Sequence, residues 1–188
     1  AHVTEEDKIR GDLYKSEFKR KKLKQNNKSL SKWIETLGLE IIIENINNKN
    51  SPRALQLLNK TNQMNLSTRR MTENEFQKWI HKKTNYLWTV RAKDKFGDYG
   101  IIGILSIAIK EKNAYLVDFV LSCRVVGRFI EETIIQFLKD FCHKKNIKKI
   151  NGRYIKTQKN IICYQFLQKL KILKKDKKSF ILLPNKEK

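Results

Sequence analysis

The sequence is poor in the residues that bend, break or staple a chain: seven Gly, two Pro and three Cys among 188 residues. So little Gly and Pro excludes collagen-like and low-complexity chains. Cys123, Cys142 and Cys163 are odd in number and lack C-x-x-C spacing, which argues against a disulfide scaffold or zinc site and for reduced thiols. No metal is expected. Long apolar runs are also missing, the longest being of strand length, against the roughly 20 residues that a membrane span needs. The opening AHVTEEDK has neither the basic nor the apolar region of a signal peptide. The expectation is a cytoplasmic chain with no membrane partner.

Acidic residues are scarce too, 19 Asp+Glu against 41 Lys+Arg, for a formal charge of +22. Such a surface attracts phosphates and raises the question of nucleic acid. Only nine of the cations are Arg, whereas 32 are Lys, and these accompany 22 Ile and 16 Asn, the profile of AT-rich codon usage. Bidentate phosphate recognition favours Arg, and base stacking needs clustered aromatics. Neither cluster occurs, so no nucleic-acid partner is expected.

What is present is enough apolar residue, 40%, for one packed core. Residues 4–26 read as a helix with a thin apolar stripe (Ile9, Leu13, Tyr14, Phe18, Leu23). A short helix holding Trp33, Ile34 and Leu37 ends at Gly38, and LEIIIEN at 39–45 follows as a strand. Ser51-Pro52 reads as an N-cap and first helical position, and Thr72-Glu73-Asn74-Glu75 as a capping box. Then the period changes: 86–94, 99–110 and 114–122 form an antiparallel meander. An amphipathic helix with Ile130, Ile134, Phe137, Leu138 and Phe141 follows, then a strand at 147–156, a helix at 159–170 and a strand at 179–184.

Between the third meander strand and the amphipathic helix stands Ser122-Cys123-Arg124-Val125-Val126-Gly127-Arg128-Phe129. A strand, an Arg-x-x-Gly loop and a helix start would leave backbone N–H groups unpaired at the positive end of a helix dipole, a place that suits phosphate. An equal alternative is a Gly that merely turns the chain beside a solvated Arg. A second polar segment, with Asn62, Asn65, Thr68, Arg69 and Arg70, either faces water or lines a polar site in which the paired arginines would hold a phosphate or carboxylate. His81 and His143 sit on basic helical faces, and Cys142 and Cys163 read as core.

The Arg124-x-x-Gly127 spacing resembles the signature of the GNAT N-acetyltransferase fold, [Arg/Gln]-x-x-Gly-x-[Gly/Ala], which cradles the diphosphate of coenzyme A; Phe129 departs from it. QLLNKTNQMNLSTRR (56–70), DKFGDYGIIG (94–103), FVLSCRVVGR (119–128) and GRYIKTQKN with FLQKL (152–170) together resemble the C-terminal GNAT-like domain of the FkbH family, over roughly residues 1–172. The resemblance implies an α/β (α+β) GNAT-like fold, a mixed and mostly antiparallel sheet flanked by helices. It also implies a division into a helical connector with the first strand (1–50), following a haloacid-dehalogenase-like (HAD) phosphatase domain, and the GNAT-like domain proper (51–188). The chain has no Asp-x-Asp, so no phosphatase activity is expected of it.

In that family a glyceryl-type acyl unit reaches the phosphopantetheine thiol of an acyl carrier protein, which would be the partner here beside the HAD domain; the cofactor would be that phosphopantetheine or coenzyme A. The strands equivalent to 114–122 and 148–156 splay apart in GNAT proteins, and the pantetheine arm fills the gap like an added strand. Cys123 is then the candidate acyl-carrying thiol and Tyr164 the candidate acid, since position 167, where many GNAT enzymes have Tyr, is Leu. Arg124, Gly127, Arg128 and Asn160 are the candidate cofactor ligands, and Asn62, Asn65, Thr68, Arg69 and Arg70 the candidate substrate ligands. Two alternatives stand beside acyl loading of a carrier: an acetyl-CoA-dependent N- or O-acetyltransferase, and a non-catalytic module that docks the carrier.

Overall fold

The computed structural model describes residues 5–25, 29–170, 173–174 and 178–185, so Thr4 and Asn26 of the expected lead-in helix lie outside the described residues. The chain forms two compact units, 1–42 with 91–100 and 43–90 with 101–188.

In the first unit, α1 (Glu5–Gln25) precedes α2 (Leu30–Leu37), which starts where the Ser29 side chain accepts the Lys32 N–H and stops at Gly38 in the left-handed region. The stripe expected to seat α1 does only part of that: Tyr14 and Phe18 are 81% and 70% exposed. A buried cation does the rest. Arg20, 3% exposed, donates through Nε and Nη2 to Asp94 at 2.8 and 2.9 Å and lies over the Tyr99 ring, whose hydroxyl also donates to Asp94. Burial alone would raise the Asp94 pKa, but the hydrogen bonds from Arg20, the Phe96 N–H and Tyr99 outweigh it and hold the carboxyl below its usual range.

In the second unit, α3 (Ser51–Lys60) and α4 (Glu73–Ile80) pack Ala54, Leu58 and Phe76 against Leu87, Ile104 and Val120 of the sheet. The capping box at Thr72 and Glu75 forms as expected. The cap of α3 does not: its N-cap is Asn50, and Ser51 is the first helical residue. The Asn50 side chain accepts the Asn47 N–H at 2.7 Å and so closes the preceding turn rather than the helix.

The strands are β1 (Glu40–Asn45), β2 (Met64–Asn65), β3 (Asn85–Asp94), β4 (Gly97–Lys110), β5 (Asn113–Leu121), β6 (Lys149–Arg153), β7 (Leu173–Lys174) and β8 (Ser179–Leu182). They make one sheet in the order β1-β3-β4-β5-β6-β8-β7, with β2 joining β5 off that path. The pair β5 and β6 is parallel, whereas β4–β5, β6–β8 and β7–β8 are antiparallel. Helix α5 (Ile130–Lys144) connects the parallel pair and buries Ile130, Ile134, Ile135 and Leu138, while its Phe137 and Phe141 meet Trp88 edge-on. Helix α6 (Ile161–Lys169) stacks Phe166 on Phe119. Cys142 and Cys163 are buried, and burial pushes each thiol up to about 12. Among the described residues no helix is long and apolar enough to cross a membrane.

Candidate functional site

The site begins with a slip in the β4–β5 register. Ser106 faces Asp118 but Ile107 faces Leu116, so Val117 is an extra residue in β5. Such a bulge bends its strand, and the parallel pairing of β5 with β6 stops at that point, Leu116 opposite Gly152. Beyond it the two strands part, as the GNAT resemblance implies.

The gap does not stay open. Met64 and Asn65 pair antiparallel with Leu121 and Val120 on the edge of β5 that β6 has left. Leu66 continues the insert, its N–H donating to Phe119 O at 3.1 Å and its carbonyl accepting the Ile155 N–H at 3.2 Å. Met64, Asn65 and Leu66 are 0%, 0% and 1% exposed. The strand that an incoming arm would add is supplied by the chain itself, which corrects the expectation of a free gap.

Asn160 shows how fully the insert is held. Its side chain, with no exposure, donates to Asn65 O at 3.1 Å and Ile155 O at 2.8 Å, and accepts from Tyr154 Oη and the Thr157 N–H. The residue expected to support a cofactor arm supports the chain's own backbone. Sequence placed Asn65 and Asn160 in separate roles; the structure joins them. Tyr164, 39% exposed, rests against the Tyr154 ring.

The polar residues around the insert strap it down. The Asn65 side chain donates to Thr61 O and accepts the Thr68 N–H, which fixes Thr68 at φ 52°. Arg70 donates to the Leu58 and Thr61 carbonyls and to Asn62 Oδ1, closing the C-terminus of α3. Arg69 makes the bidentate carboxylate contact expected of it, but to an internal partner: Nε and Nη2 meet Asp118 at 2.8 and 2.6 Å, and the guanidinium lies over Trp79. Asp118, fully buried, also accepts from Ser67 and Ser106 hydroxyls. Asp118 and Ser106 escaped the sequence reading, although one carboxylate inside the apolar run YLVDFVL signals a buried pair.

The loop after β5 differs in a second way from expectation. Cys123 is exposed, and Arg124, also exposed, donates from Nε to Ser122 Oγ at 3.4 Å. Arg128 is buried. Gly127 takes a left-handed φ of 81° and Phe129, the N-cap of α5, one of 60°. Two of the loop's backbone N–H groups have acceptors within the chain. That of Val125 donates to Ser122 O, and that of Gly127 donates to Glu131 Oε1 at 2.7 Å. Glu131, in the first turn of α5, is 4% exposed and reaches back to the loop, while its Oε2 has no hydrogen-bond partner. Burial pushes its carboxyl pKa up against the opposing Gly127 N–H. Burial and the charge of Arg124 lower the pKa of Arg53.

No family model and no curated protein matches the chain. Solved structures do match. They include a spermidine N-acetyltransferase from Vibrio cholerae in complex with CoA and spermine, at 14% identity over 77% of this chain and 95% of that one, with a TM-score of 0.59. A GNAT-family acetyltransferase from Staphylococcus aureus is 12% identical over 78% and 100%, with a TM-score of 0.58. A domain from Methanocaldococcus jannaschii is 13% identical over 77% and 99%, also at 0.58. The chain therefore has the GNAT acetyltransferase fold, with an N-terminal helical lead-in. Coenzyme A, the group this fold implies, does not fit the closed groove: Leu66 holds the edge of β5, and Glu131 holds the Gly127 N–H.

Proposed function

We propose that the chain is an acyltransferase of the N-acetyltransferase type, drawing its acyl group from a thioester donor. The observation that carries this reading is the bulged and splayed β5–β6 pair, followed directly by the Gly127 loop and α5, within a fold otherwise used by acetyltransferases. The acceptor is an amine or hydroxyl, polyamines being the first to try because the similar Vibrio cholerae enzyme is a spermidine N-acetyltransferase. The test is to incubate the full chain with radiolabelled acetyl-CoA or acetylated acyl carrier protein as donor and a panel of polyamines, amino sugars and acyl carrier proteins as acceptors. Label transferred above the uncatalysed rate supports the reading, and no transfer to any acceptor ends it.

A second reading is favoured by one specific feature. The segment 56–70, which carries the resemblance to FkbH proteins, is the segment that fills the groove, and Leu167 stands where the common acid would be. A domain that receives the phosphopantetheine of an acyl carrier protein, beside a HAD phosphatase domain, would need its basic surface and polar strap more than an open coenzyme A site. In that case Cys123, exposed beside Arg124, is the thiol to examine for an acyl adduct after incubation with a glyceryl donor.

A further inference from the structure

Away from the filled gap, a cavity of about 260 Å³ opens on the paired part of the sheet. Its lining includes Tyr115 on β5, Asn151, Gly152 and Arg153 on β6, and Ser179 and Phe180 on β8. The register sets which of these share a face. Tyr115 is opposite Asn151, Arg153 stands two residues on from Asn151, and Arg153 is opposite Ser179, so these four polar side chains belong to one face of the sheet. The Phe180 ring lies so close to Gly152 that no Cβ would fit between them, which fixes the ring as an apolar wall. The volume is below the roughly 300–1,000 Å³ of pockets that take drug-sized molecules, so a ligand here is small.

The charge of the lining is of one sign. Arg153 is exposed, and among the described residues its guanidinium has no carboxylate, carbonyl or ring as a partner. Tyr115 is 44% exposed, and among the same residues its hydroxyl makes no hydrogen bond. Asn151 donates from Nδ2 to the Ala114 carbonyl at 3.3 Å, which leaves Oδ1 as an acceptor. No acidic side chain lines the cavity. A forked guanidinium without a countercharge, beside an aromatic ring, is complementary to a planar molecule that ends in an oxyanion. We propose that this cavity binds a small ligand in which a carboxylate or phosphate is attached to a planar apolar body, the oxyanion on Arg153 and the body against the Tyr115 ring. The same lining repels a cation, so a polyamine is not its ligand. The site is independent of the acyltransferase reading, and its occupancy is measured without any transfer.

Titration of the full, isotope-labelled chain with benzoate, phenyl phosphate and benzylamine, followed through backbone amide chemical shifts, tests this. At least one of the two anions is expected to shift the Gly152, Arg153 and Ser179 amides together and saturably, and the tighter of them identifies the oxyanion. Benzylamine, with the same ring and the opposite charge, is expected to leave those amides unmoved. Arg153→Gln should weaken anion binding by about 10-fold or more and Tyr115→Ala by about 3- to 10-fold. Lys149→Gln, on the same strand but outside the cavity, should weaken it by less than about 2-fold. All three side chains are exposed, so each variant keeps its fold. The absence of localised shifts with either anion overturns the proposal, as does benzylamine binding as well as benzoate. Equal losses from Arg153→Gln and Lys149→Gln overturn it too, because the attraction would then be that of the basic surface at large.

Discussion

Replacing Arg69 with Ala tests whether the strap is held by charge or merely lies where packing leaves it. Asp118 has no exposed side-chain surface, and its carboxylate faces Arg69 through two bonds of 2.8 and 2.6 Å. The remaining donors, Ser67 and Ser106, are neutral hydroxyls. Removing the guanidinium leaves a buried carboxylate uncompensated, which costs about 3–5 kcal/mol, whereas an exposed pair would give under about 1 kcal/mol. About 1 kcal/mol of the total is the loss of the contact of Arg69 with the Trp79 ring at 4.7 Å, a loss common to the single and double Arg69→Ala variants. Urea unfolding of the second unit, followed by tryptophan fluorescence, measures the four corners of the Arg69→Ala, Asp118→Asn cycle. The expected outcome is that Arg69→Ala/Asp118→Asn is more stable than Arg69→Ala by about 2 kcal/mol, because the amide no longer needs a countercharge. A loss below about 1 kcal/mol for Arg69→Ala, or a double variant no better than the single, would refute the claim that this pair anchors residues 64–69.

Two further substitutions probe the frame of the site. A Cβ at Gly152 would lie 2.1 Å from Cζ of Phe180, which is itself buried on β8, so Gly152→Ala should lower stability by about 2–3 kcal/mol and Gly152→Ala/Phe180→Leu should regain much of it; equal melting of wild type and Gly152→Ala contradicts this. The folded-state pKa of Glu131 is raised by burial, with Glu132 adding to it and the Gly127 N–H and Lys169 opposing, so ionising it works against folding. That penalty is absent below the ordinary carboxylate range near pH 4, grows as pH rises through the raised folded value, and is constant above it. Glu131→Gln should therefore match wild type at pH 4 and exceed it by about 1 kcal/mol at pH 7, and equal stability differences at both pH values would remove the cause given.

The helices and strands with regular periods were legible from the chain. The meander needed only the switch from helical to alternating spacing, and α5 declared itself through Ile130, Ile134, Phe137, Leu138 and Phe141. The Thr72 capping box was local and complete within four residues. What stayed hidden was long-range. The strand β2 is two residues long, too short for any period, and its partners Val120 and Leu121 lie more than fifty positions away. Asn50 displaced Ser51 as the α3 cap because its side chain had a turn to close, a choice set by Asn47 rather than by the helix. The site was half legible for a related reason. The expected partner of Arg69 was a phosphate or carboxylate of a ligand and that of the Gly127 loop a phosphate; in the structure Asp118 and Glu131, from within the chain, meet the Arg69 guanidinium and the Gly127 N–H.

The energetics of the insert decide how such a groove can be used. Withdrawing 64–66 gives up the Leu66 bonds to Phe119 and Ile155, the Asn160 bond to Asn65, and the burial of two apolar side chains, Met64 and Leu66, that are essentially unexposed. At about 1 kcal/mol for each hydrogen bond and 1.5–3 kcal/mol for each side chain, opening costs roughly 6–9 kcal/mol. A ligand that binds the open groove with micromolar affinity brings about 8 kcal/mol. The two nearly cancel, so a free thioester of ordinary affinity would leave the groove closed most of the time. A donor delivered on a protein is in a different position, because contacts outside the groove add to its binding, and the excess of 41 basic over 19 acidic residues offers such contacts to an acidic partner. The closed strand lowers the apparent affinity of every donor by the same factor, so only a donor with extra contacts occupies the groove at ordinary concentration, and removing the strand's hold should tighten free and protein-borne donors equally.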